Sequence, residues 1–230
     1  MAFPSNWRSR YERLLIFDLE TTGFNPKSED IIDVGVVALQ PLAGDWMTVL
    51  TENMLVRTSR RLSDKIISLT GITDTMLLQG VEPAVLAELF ERVMTPKTLV
   101  IAYNLQFDLS FVHYFMKRHR PYFTFQSDVL DLLTVYKDVQ EYPHRLENAL
   151  ATYGIPIDQA HRAFDDAEAT AKLLARLDEG VDLNLYVNHI GYHEKYGLSG
   201  VRYDHVQYHP QSFALGSLYA KLRGSHDYHD

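Results

Sequence analysis

Hydrophobic and polar positions in the first part of the chain follow the pattern of three consecutive strands. Residues 13–18 (RLLIFD) form a short apolar run of the kind found in buried strands. Residues 31–39 (IIDVGVVAL) are β-branched and apolar, and residues 46–56 largely alternate between apolar and polar side chains. The segment 21–26 (TTGFNP) between the first two runs is typical of a turn. The pattern therefore predicts a β-meander.

The rest of the chain alternates between helical and strand-like patterns. Apolar residues recur at helical spacing in 105–118, and Gly154 ends a helical stretch before Ile155 and Pro156. Three strands followed by alternating helices and strands indicate an α/β or α+β sheet covered by helices. We predict helices over 63–69, 83–94, 105–118, 146–153 and 163–177, and strands over 99–102 and 123–129, the last running into a helix that reaches residue 137.

Composition changes near residues 178–180. Residues 181–230 hold half of the 14 tyrosines and most of the 10 histidines. We therefore divide the chain into a domain over 1–178 and a Tyr/His-rich C-terminal appendage over 179–230. An extra layer packed on the domain is our first interpretation of the appendage, and a contact with a protein partner or a second copy is the alternative.

Two smaller expectations concern this appendage. His189 and His193 would lie four residues apart on one helix face and could bind a transition metal, although a chance pairing is the simpler explanation. The terminal SHDYHD is expected to be a disordered tail.

Charge and composition narrow the classes of function. The 230-residue chain has no cysteine, which excludes disulfides, zinc–thiolate sites and cysteine nucleophiles. A net charge of −8 argues against tight, sequence-reading binding of long duplex DNA, which needs a basic surface. It leaves room for a nuclease that binds a short strand end with the help of metal ions. The chain shows no secretory signal and no apolar run long enough to cross a bilayer, so we expect a cytoplasmic protein without a membrane contact.

Two carboxylates close the first predicted strand. Asp18 and Glu20 are two residues apart, so the two-residue period of a strand places both on one face. Carboxylates held together repel unless a proton or a cation lies between them, and oxygen ligands favour Mg²⁺ or Mn²⁺. The same spacing recurs at Asp166 and Glu168, so the pair alone could equally be a solvated strand end.

Three further polar residues lie where helices begin. Asp108 falls in the first turn of the predicted 105–118 helix, where the helix dipole also favours an acid. Asn104 could orient a substrate or simply cap that helix, and the cap is the interpretation we favour. His161 precedes Asp166 by five residues at the start of the last predicted helix. Each of these residues, taken alone, is weak evidence for a catalytic site.

Three segments taken together resemble a known family. In chain order, FDLETTG (17–23), AYNLQFD (102–108) and HRAFDDA (161–167) resemble the exonuclease motifs of the DnaQ-like family, the DEDDh group of the RNase H-like superfamily. LENALATYGI (146–155) resembles the segment that leads to the third motif, and the resemblance covers residues 12–177. It implies an α/β, RNase H-like fold with a central mixed five-stranded sheet flanked by helices.

The resemblance also implies the catalytic residues. His161 matches the family's general base, while Asp165, beside the last ligand, does not match a ligand position. Tyr103 departs from the histidine that many members carry there, but that position lies outside the catalytic five. The four acids that hold two divalent cations, Mg²⁺ or Mn²⁺, match Asp18, Glu20, Asp108 and Asp166.

Substrate contacts are expected beside these acids. By the resemblance, backbone groups of Thr21, Thr22 and Gly23 would contact a terminal 3′-hydroxyl. Phe24 would stack on a base, or could equally be a core aromatic. Arg57 is the phosphate contact that we select from the better placed of two basic clusters. The first cluster is Arg57, Arg60, Arg61 and Lys65, and the second is Lys117, Arg118, His119 and Arg120.

The expected function is a 3′→5′ exonuclease that acts at single-stranded or frayed 3′ ends of DNA and releases nucleoside 5′-monophosphates. A 3′→5′ exoribonuclease or short-oligonucleotide hydrolase is the first alternative, because discrimination depends on contacts to the 2′-hydroxyl. A non-catalytic nucleic-acid-binding subunit is the second alternative, and five intact catalytic positions argue against it.

Overall fold

Five strands form one mixed sheet at the centre of the molecule. The computed structural model describes residues 10–42, 45–156, 160–212 and 214–226, with side chains up to residue 224. In chain order the strands are β1 (Arg13–Thr21), β2 (Ile31–Leu42), β3 (Asp45–Leu55), β4 (Thr98–Ala102) and β5 (Asp128–Asp131). Their order in the sheet is β3-β2-β1-β4-β5. β1 to β3 form the predicted antiparallel meander, and β4 and β5 run parallel to β1. The mixed five-stranded sheet is confirmed.

Helices cover both faces of this sheet. They are α1 (Asp64–Thr70), α2 (Asp74–Leu77), α3 (Pro83–Val93), α4 (Leu105–His119), α5 (Leu132–Val139), α6 (Leu146–Thr152) and α7 (Ala163–Asp178). The start of α1 is fixed by Ser63, whose side chain accepts the Ile66 N–H, and the helix ends at Gly71 with φ of 70°. α7 packs across β1 and β2, whereas α3 and α4 pack on the opposite face.

β1 is buried on both faces, as its continuous apolar run predicts. Leu14 and Ile16 join the hydrophobic cluster on the α7 side, while Leu15 and Phe17 join the cluster formed with α3 and α4. Because side chains alternate along a strand, the even-numbered residues that follow also face α7. The fold therefore directs the acids at the end of β1 toward the start of α7.

The prediction of the fifth strand is wrong in its position. We expected it over 123–129, but β5 spans Asp128–Asp131 and pairs with β4 over that range. Phe123 and Phe125 alternate as in a strand, yet they contribute to the core from a loop that packs against α4. Their hydrophobicity reflects burial of a loop, which the two-residue pattern cannot distinguish from a strand.

The described part of the appendage packs against β5 and α5. It contains a 3₁₀ helix (Leu183–Tyr186), β6 (His189–Tyr192), β7 (Gln207–Pro210) and α8 (Ser217–His226), with β6 and β7 in a parallel two-stranded sheet. The Asn188 N–H donates to the Val129 carbonyl at 2.8 Å. The buried Asp138 carboxylate accepts from the Tyr186 hydroxyl at 2.7 Å and from the Leu218 N–H at 2.9 Å. The domain boundary near 178 and a protein partner through 181–230 remain predictions.

The suggested helical pair of metal-binding histidines is wrong. His189 lies in β6, where a strand replaces the helix that would align it with His193. Its Nδ1 is instead 2.8 Å from Nε2 of His209 in the neighbouring strand. The first two residues of the predicted disordered tail, Ser225 and His226, belong to α8 instead, and its last four residues, 227–230, lie outside the described residues. Within the described ranges, no helix combines the length and apolar character needed to cross a bilayer.

Candidate active site

The carboxyl end of β1 carries the first two acids. β1 continues beyond its apolar run to Thr21, because Asp18 and Glu20 stay paired with Gly35 and Asp33 of β2. Both carboxyl side chains belong to half-buried residues. By strand alternation they face α7, as the Asp-x-Glu spacing predicts.

The third acid comes from the junction of β4 and α4. Asp108 lies in the first turn of α4 and is only 3% exposed. Asn104, at the helix start, is exposed and has left-handed backbone, with φ of 67°, and its side chain makes no capping hydrogen bond. The cap interpretation of Asn104 is therefore wrong. The buried Asp131 carboxylate of β5 accepts the Leu105 N–H at 3.0 Å in its place.

The fourth acid is positioned by a close approach between α7 and the sheet. A Cβ on Gly35 would lie 2.1 Å from the Ala163 carbonyl oxygen and 2.3 Å from Phe164 Cα, so a side chain does not fit there. This contact sets the first turn of α7 directly on β2. Asp166 in that turn is 7% exposed. Asp165 beside it is half-exposed, which fits the choice of Asp166 as the ligand.

His161 lies at the entry to α7 in an unusual backbone conformation. Its φ is 63°, a left-handed value that costs a non-glycine residue on the order of 1–3 kcal/mol. The His161 N–H donates to Asp166 Oδ2 at 3.1 Å, which stabilises the turn. The imidazole is 41% exposed, and its Nε2 lies 3.7 Å from Oε1 of Glu147 in α6. The ring therefore lies beside the acids and is open to solvent.

A buried ion pair ties the same entry segment to the sheet. The Asp33 carboxylate is fully buried in β2 and accepts from Arg162 Nε at 3.0 Å and from the Ala163 N–H at 3.4 Å. Burial raises the pKa of Asp33, and the Arg162 guanidinium opposes that rise. The pair holds Arg162 and Ala163, the two residues that directly follow His161, against β2.

These elements bring the predicted catalytic residues to one place. Ligand atoms of Glu20, His161 and Asp166 all lie within 4.8 Å of one another. Asp18 is close enough to Asp108, Asp166 and Glu20 for their charges to act on it. Four carboxyl groups and one imidazole thus converge where β1, β4 and the start of α7 meet.

The electrostatics of this cluster favour a bound cation. Burial is the largest cause of the raised pKa at each acid, and the negative charges of neighbouring carboxylates, inside or beside the cluster, add to it. The pKa of Glu20 rises to about 8 and that of Asp166 to about 6. The pKa values of Asp18 and Asp108 are raised well above the ordinary range. Hard divalent cations, which prefer carboxylate oxygens, would remove this mutual repulsion, so the donor set fits the expected metals.

The turn after β1 presents Phe24 to solvent. Phe24 is 79% exposed, so its alternative role as a core aromatic is wrong. The Thr21 hydroxyl donates to the Gly23 carbonyl at 2.7 Å, and the Thr22 hydroxyl donates to Glu29 Oε2 at 2.5 Å. The side chains of both threonines therefore shape the turn, and any contact to a substrate from 21–23 falls to the backbone.

The basic residues are largely paired with acids. Arg57 pairs with Glu82, and its Nε donates to the Leu78 carbonyl at 3.2 Å. Arg60 and Arg118, one from each predicted cluster, lie 3.2 Å and 3.9 Å from the same Asp30 carboxylate. The two clusters, far apart in sequence, are thus neighbours on one surface.

Sequence reasoning missed the residues that position the site. Asp33 and Gly35 are polar or small interruptions of the apolar run 31–39, and such interruptions were the available signal. Asp131 and Glu147 carried no comparable signal, because an acid at the start of a helix is common. Their roles depend on contacts between distant segments.

A family model described as exonuclease, RNase_T, matches residues 15–174. Among curated relatives, the PolC-type DNA polymerase III of Thermotoga petrophila is 30% identical over 177 residues, which are 72% of this chain and 12% of the relative. The 3′-5′ exonuclease DinG of Staphylococcus haemolyticus is 29% identical over 208 residues, 86% of this chain and 22% of the relative. The chain thus spans less than a quarter of the length of these relatives.

Solved structures share the fold at lower identity. E. coli exonuclease I in complex with a dT13 oligonucleotide matches with a TM-score of 0.64 and 22% identity, over 76% of this chain and 42% of that chain. Cell-death related nuclease 4 matches with a TM-score of 0.62 and 20% identity, over 74% of this chain and 64% of that chain.

Proposed function

The chain belongs to the exonuclease family whose model it matches, and we propose that it is a metal-dependent 3′→5′ exonuclease. Its substrates would be single-stranded or frayed 3′ ends of DNA, and its products nucleoside 5′-monophosphates. The observation that carries this proposal is the convergence of Glu20, His161 and Asp166 within 4.8 Å beside two further acids, Asp18 and Asp108. Hydrolysis of a phosphodiester needs an activated water and a stabilised leaving oxygen, and this set of groups suits both needs.

Asp18, Glu20, Asp108 and Asp166 would hold two divalent cations, Mg²⁺ or Mn²⁺. When bound, such cations lower the pKa of water and stabilise charge on the phosphate and the departing 3′-oxygen. The raised pKa of Glu20, about 8, supports this assignment, because burial and then the charges of Asp166 and Asp33 disfavour its ionised form, and a bound cation would offset both.

His161 would act as the general base. Its backbone is fixed by the bond to Asp166, while 41% of its side chain remains open to solvent. The ring can therefore take a proton from the attacking water and release it to solvent. An imidazole suits this role because it gains and loses a proton near neutral pH.

The proposed substrate contacts are made by side chains and backbone groups that are exposed near the acids. The exposed Phe24 ring would stack on a terminal base, and the exposed Asn104 side chain would orient the strand. Backbone groups of Thr21, Thr22 and Gly23 would contact the 3′-hydroxyl. The Thr22 N–H already donates to the Asp30 carbonyl at 3.0 Å, so the other backbone groups of this segment would make that contact. Arg57 would contact a phosphate in place of Glu82. Breaking its surface ion pair with Glu82 costs little free energy.

DNA is the favoured substrate because relatives are named as a DNA polymerase and a 3′-5′ exonuclease, and a structural neighbour holds a dT13 oligonucleotide. An exoribonuclease or oligonucleotide hydrolase is the alternative, since the same acids serve either sugar. A non-catalytic subunit would have no need for four clustered acids beside an accessible imidazole.

The test is a substrate panel read on a sequencing gel. DNA and RNA oligonucleotides labelled at the 5′ end are incubated with Mg²⁺ or Mn²⁺, and stepwise shortening from the 3′ end is expected for DNA. Asp18→Ala and His161→Ala should abolish shortening, while Asp165→Asn serves as the matched control beside Asp166→Asn. If the wild-type chain releases no mononucleotide from any 3′ end, the proposal fails.

A further inference from the structure

The loop after β1 lies along α4, where its Phe24 meets Lys65 of α1 and its Lys27 meets Tyr114 of α4. Phe24, from this loop, has its ring centroid 6.5 Å from that of Phe107 in the first turn of α4. The Lys65 ammonium lies 5.8 Å from the Phe24 centroid. This first pair belongs to the proposed site, because Asp108 is the next residue of α4.

A second ring and lysine lie further along the same helix. Tyr114 is two helical turns beyond Phe107 and on the same face, because seven residues complete nearly two turns. The Lys27 ammonium, from the loop that carries Phe24, lies 5.8 Å from the Tyr114 ring centroid. Phe107 and Tyr114 are separated by about 10 Å along the helix, which matches up to three stacked nucleotides at ~3.4 Å each.

Positive charge continues beyond this second pair. Arg60 and Arg118 share the single carboxylate of Asp30, which leaves an excess of one positive charge. Lys27 and Lys65 are exposed and lie over rings. This surface is therefore basic although the whole chain carries a net charge of −8. A polyanion entering the site would be attracted here.

We propose that Lys27 and Tyr114 form a second binding site for single-stranded nucleic acid, upstream of the nucleotide being removed. The Tyr114 ring would stack on a base two or three positions from the 3′ end, and Lys27 would contact the adjoining phosphate. This inference rests on the proposed function, because it places the 3′ end at the acids. The half-exposed Tyr114 ring can stack only on an unpaired base, so the site favours single strands over duplexes.

Equilibrium binding tests the Lys27–Tyr114 pair without hydrolysis. The Asp18→Asn chain, with Mg²⁺ present, is titrated into 5′-fluorescein oligonucleotides of two and six nucleotides, in deoxyribose and ribose series, and anisotropy is read. Tyr114→Ala in that background should weaken binding of the six-mer about tenfold, as expected for one stacked base, and change dinucleotide binding by less than about twofold. Tyr114→Phe keeps the ring and should restore six-mer binding.

The salt dependence of binding is a second readout. It would not change on substitution of Lys27 if that residue had only a structural role. Lys27→Gln should lower the slope of log affinity against log salt by about 0.7 for the six-mer, the loss of one phosphate contact. Lys97→Gln is the matched control, because Lys97 pairs with Glu12 at the opposite end of β4. Its slope should equal that of the parent.

Three results would overturn the inference: no binding of the six-mer, an equal loss for both lengths with Tyr114→Ala, or an unchanged slope with Lys27→Gln. The proposed hydrolysis is judged separately, by release of mononucleotides from the wild-type chain. A chain that binds six-mers through Tyr114 but releases nothing would keep this inference and refute the enzyme. The two sugar series show which nucleic acid the pair prefers.

Discussion

Replacing Gly35 with alanine is the most specific perturbation of how the site is assembled. The added Cβ would lie 2.1 Å from the Ala163 oxygen, whereas ordinary van der Waals contact begins at 3.4 Å. Real Cβ contacts are essentially never shorter than 3.0 Å, so the start of α7 must move by at least the difference, 3.0 − 2.1 = 0.9 Å, and by 1.3 Å to reach ordinary contact. The atoms it meets belong to backbone, so no flexible side chain can yield.

That movement should lower the rate of hydrolysis strongly while the chain stays folded. His161 and Asp166 move with the start of α7, and a misplacement of about 1 Å typically costs on the order of 100-fold in rate. Overpacking of this kind costs about 1–3 kcal/mol of stability, which leaves most domains folded. Gly180→Ala is the matched control, because a Cβ there meets nothing within 4 Å.

The assay is kcat/KM on a 5′-labelled oligonucleotide, with urea unfolding of each variant. A Gly35→Ala chain that stays folded and retains activity within a factor of about two would refute the placement of α7, since a shift of this size should cost far more.

Three further predictions concern the acids and their supports. Because the pKa of Glu20, normally 4.5, rises to about 8 on folding, the folded chain holds a proton that the unfolded chain has lost; the metal-free protein should therefore lose stability as pH rises from 5 to 8. Urea unfolding in EDTA checks this, and Glu20→Gln should flatten the dependence; stability that rises over this range would contradict it. Arg162→Met leaves the buried Asp33 carboxylate unpaired and should cost about 3 kcal/mol in the same assay, with partial recovery in Arg162→Met/Asp33→Asn. Asp166→Asn should abolish hydrolysis while Asp165→Asn keeps it, and equal losses on the oligonucleotide assay would argue against this choice of ligand.

The sheet and the candidate catalytic residues could be predicted because their signals are local. The apolar runs of β1 and β2 reveal buried strands, and the acids follow them at fixed spacing in motifs typical of one family. Asp18 and Glu20 face α7 simply because side chains alternate along a strand. These features need no knowledge of distant contacts.

The residues that hold the site in position could not be predicted, because their roles depend on contacts between segments that are distant in sequence. The Asp33–Arg162 pair joins residues 129 positions apart, and Asp131 caps a helix that begins 26 residues earlier. Asn104 looks like a helix cap in sequence, and only the position of Asp131 shows that the cap is supplied from elsewhere. The displaced fifth strand has the same cause, since tertiary packing decides whether Phe123 and Phe125 enter a strand or a loop.

Product analysis in H₂¹⁸O tests the central claim most directly. A single-stranded oligodeoxynucleotide is incubated with the wild-type chain and Mg²⁺, and the released nucleotides are analysed by mass spectrometry. Attack of water on phosphorus with departure of the 3′-oxygen predicts nucleoside 5′-monophosphates that carry one ¹⁸O, released in order from the 3′ end. Nucleoside 3′-monophosphates, release from the 5′ end, or no release with either Mg²⁺ or Mn²⁺ would contradict the account.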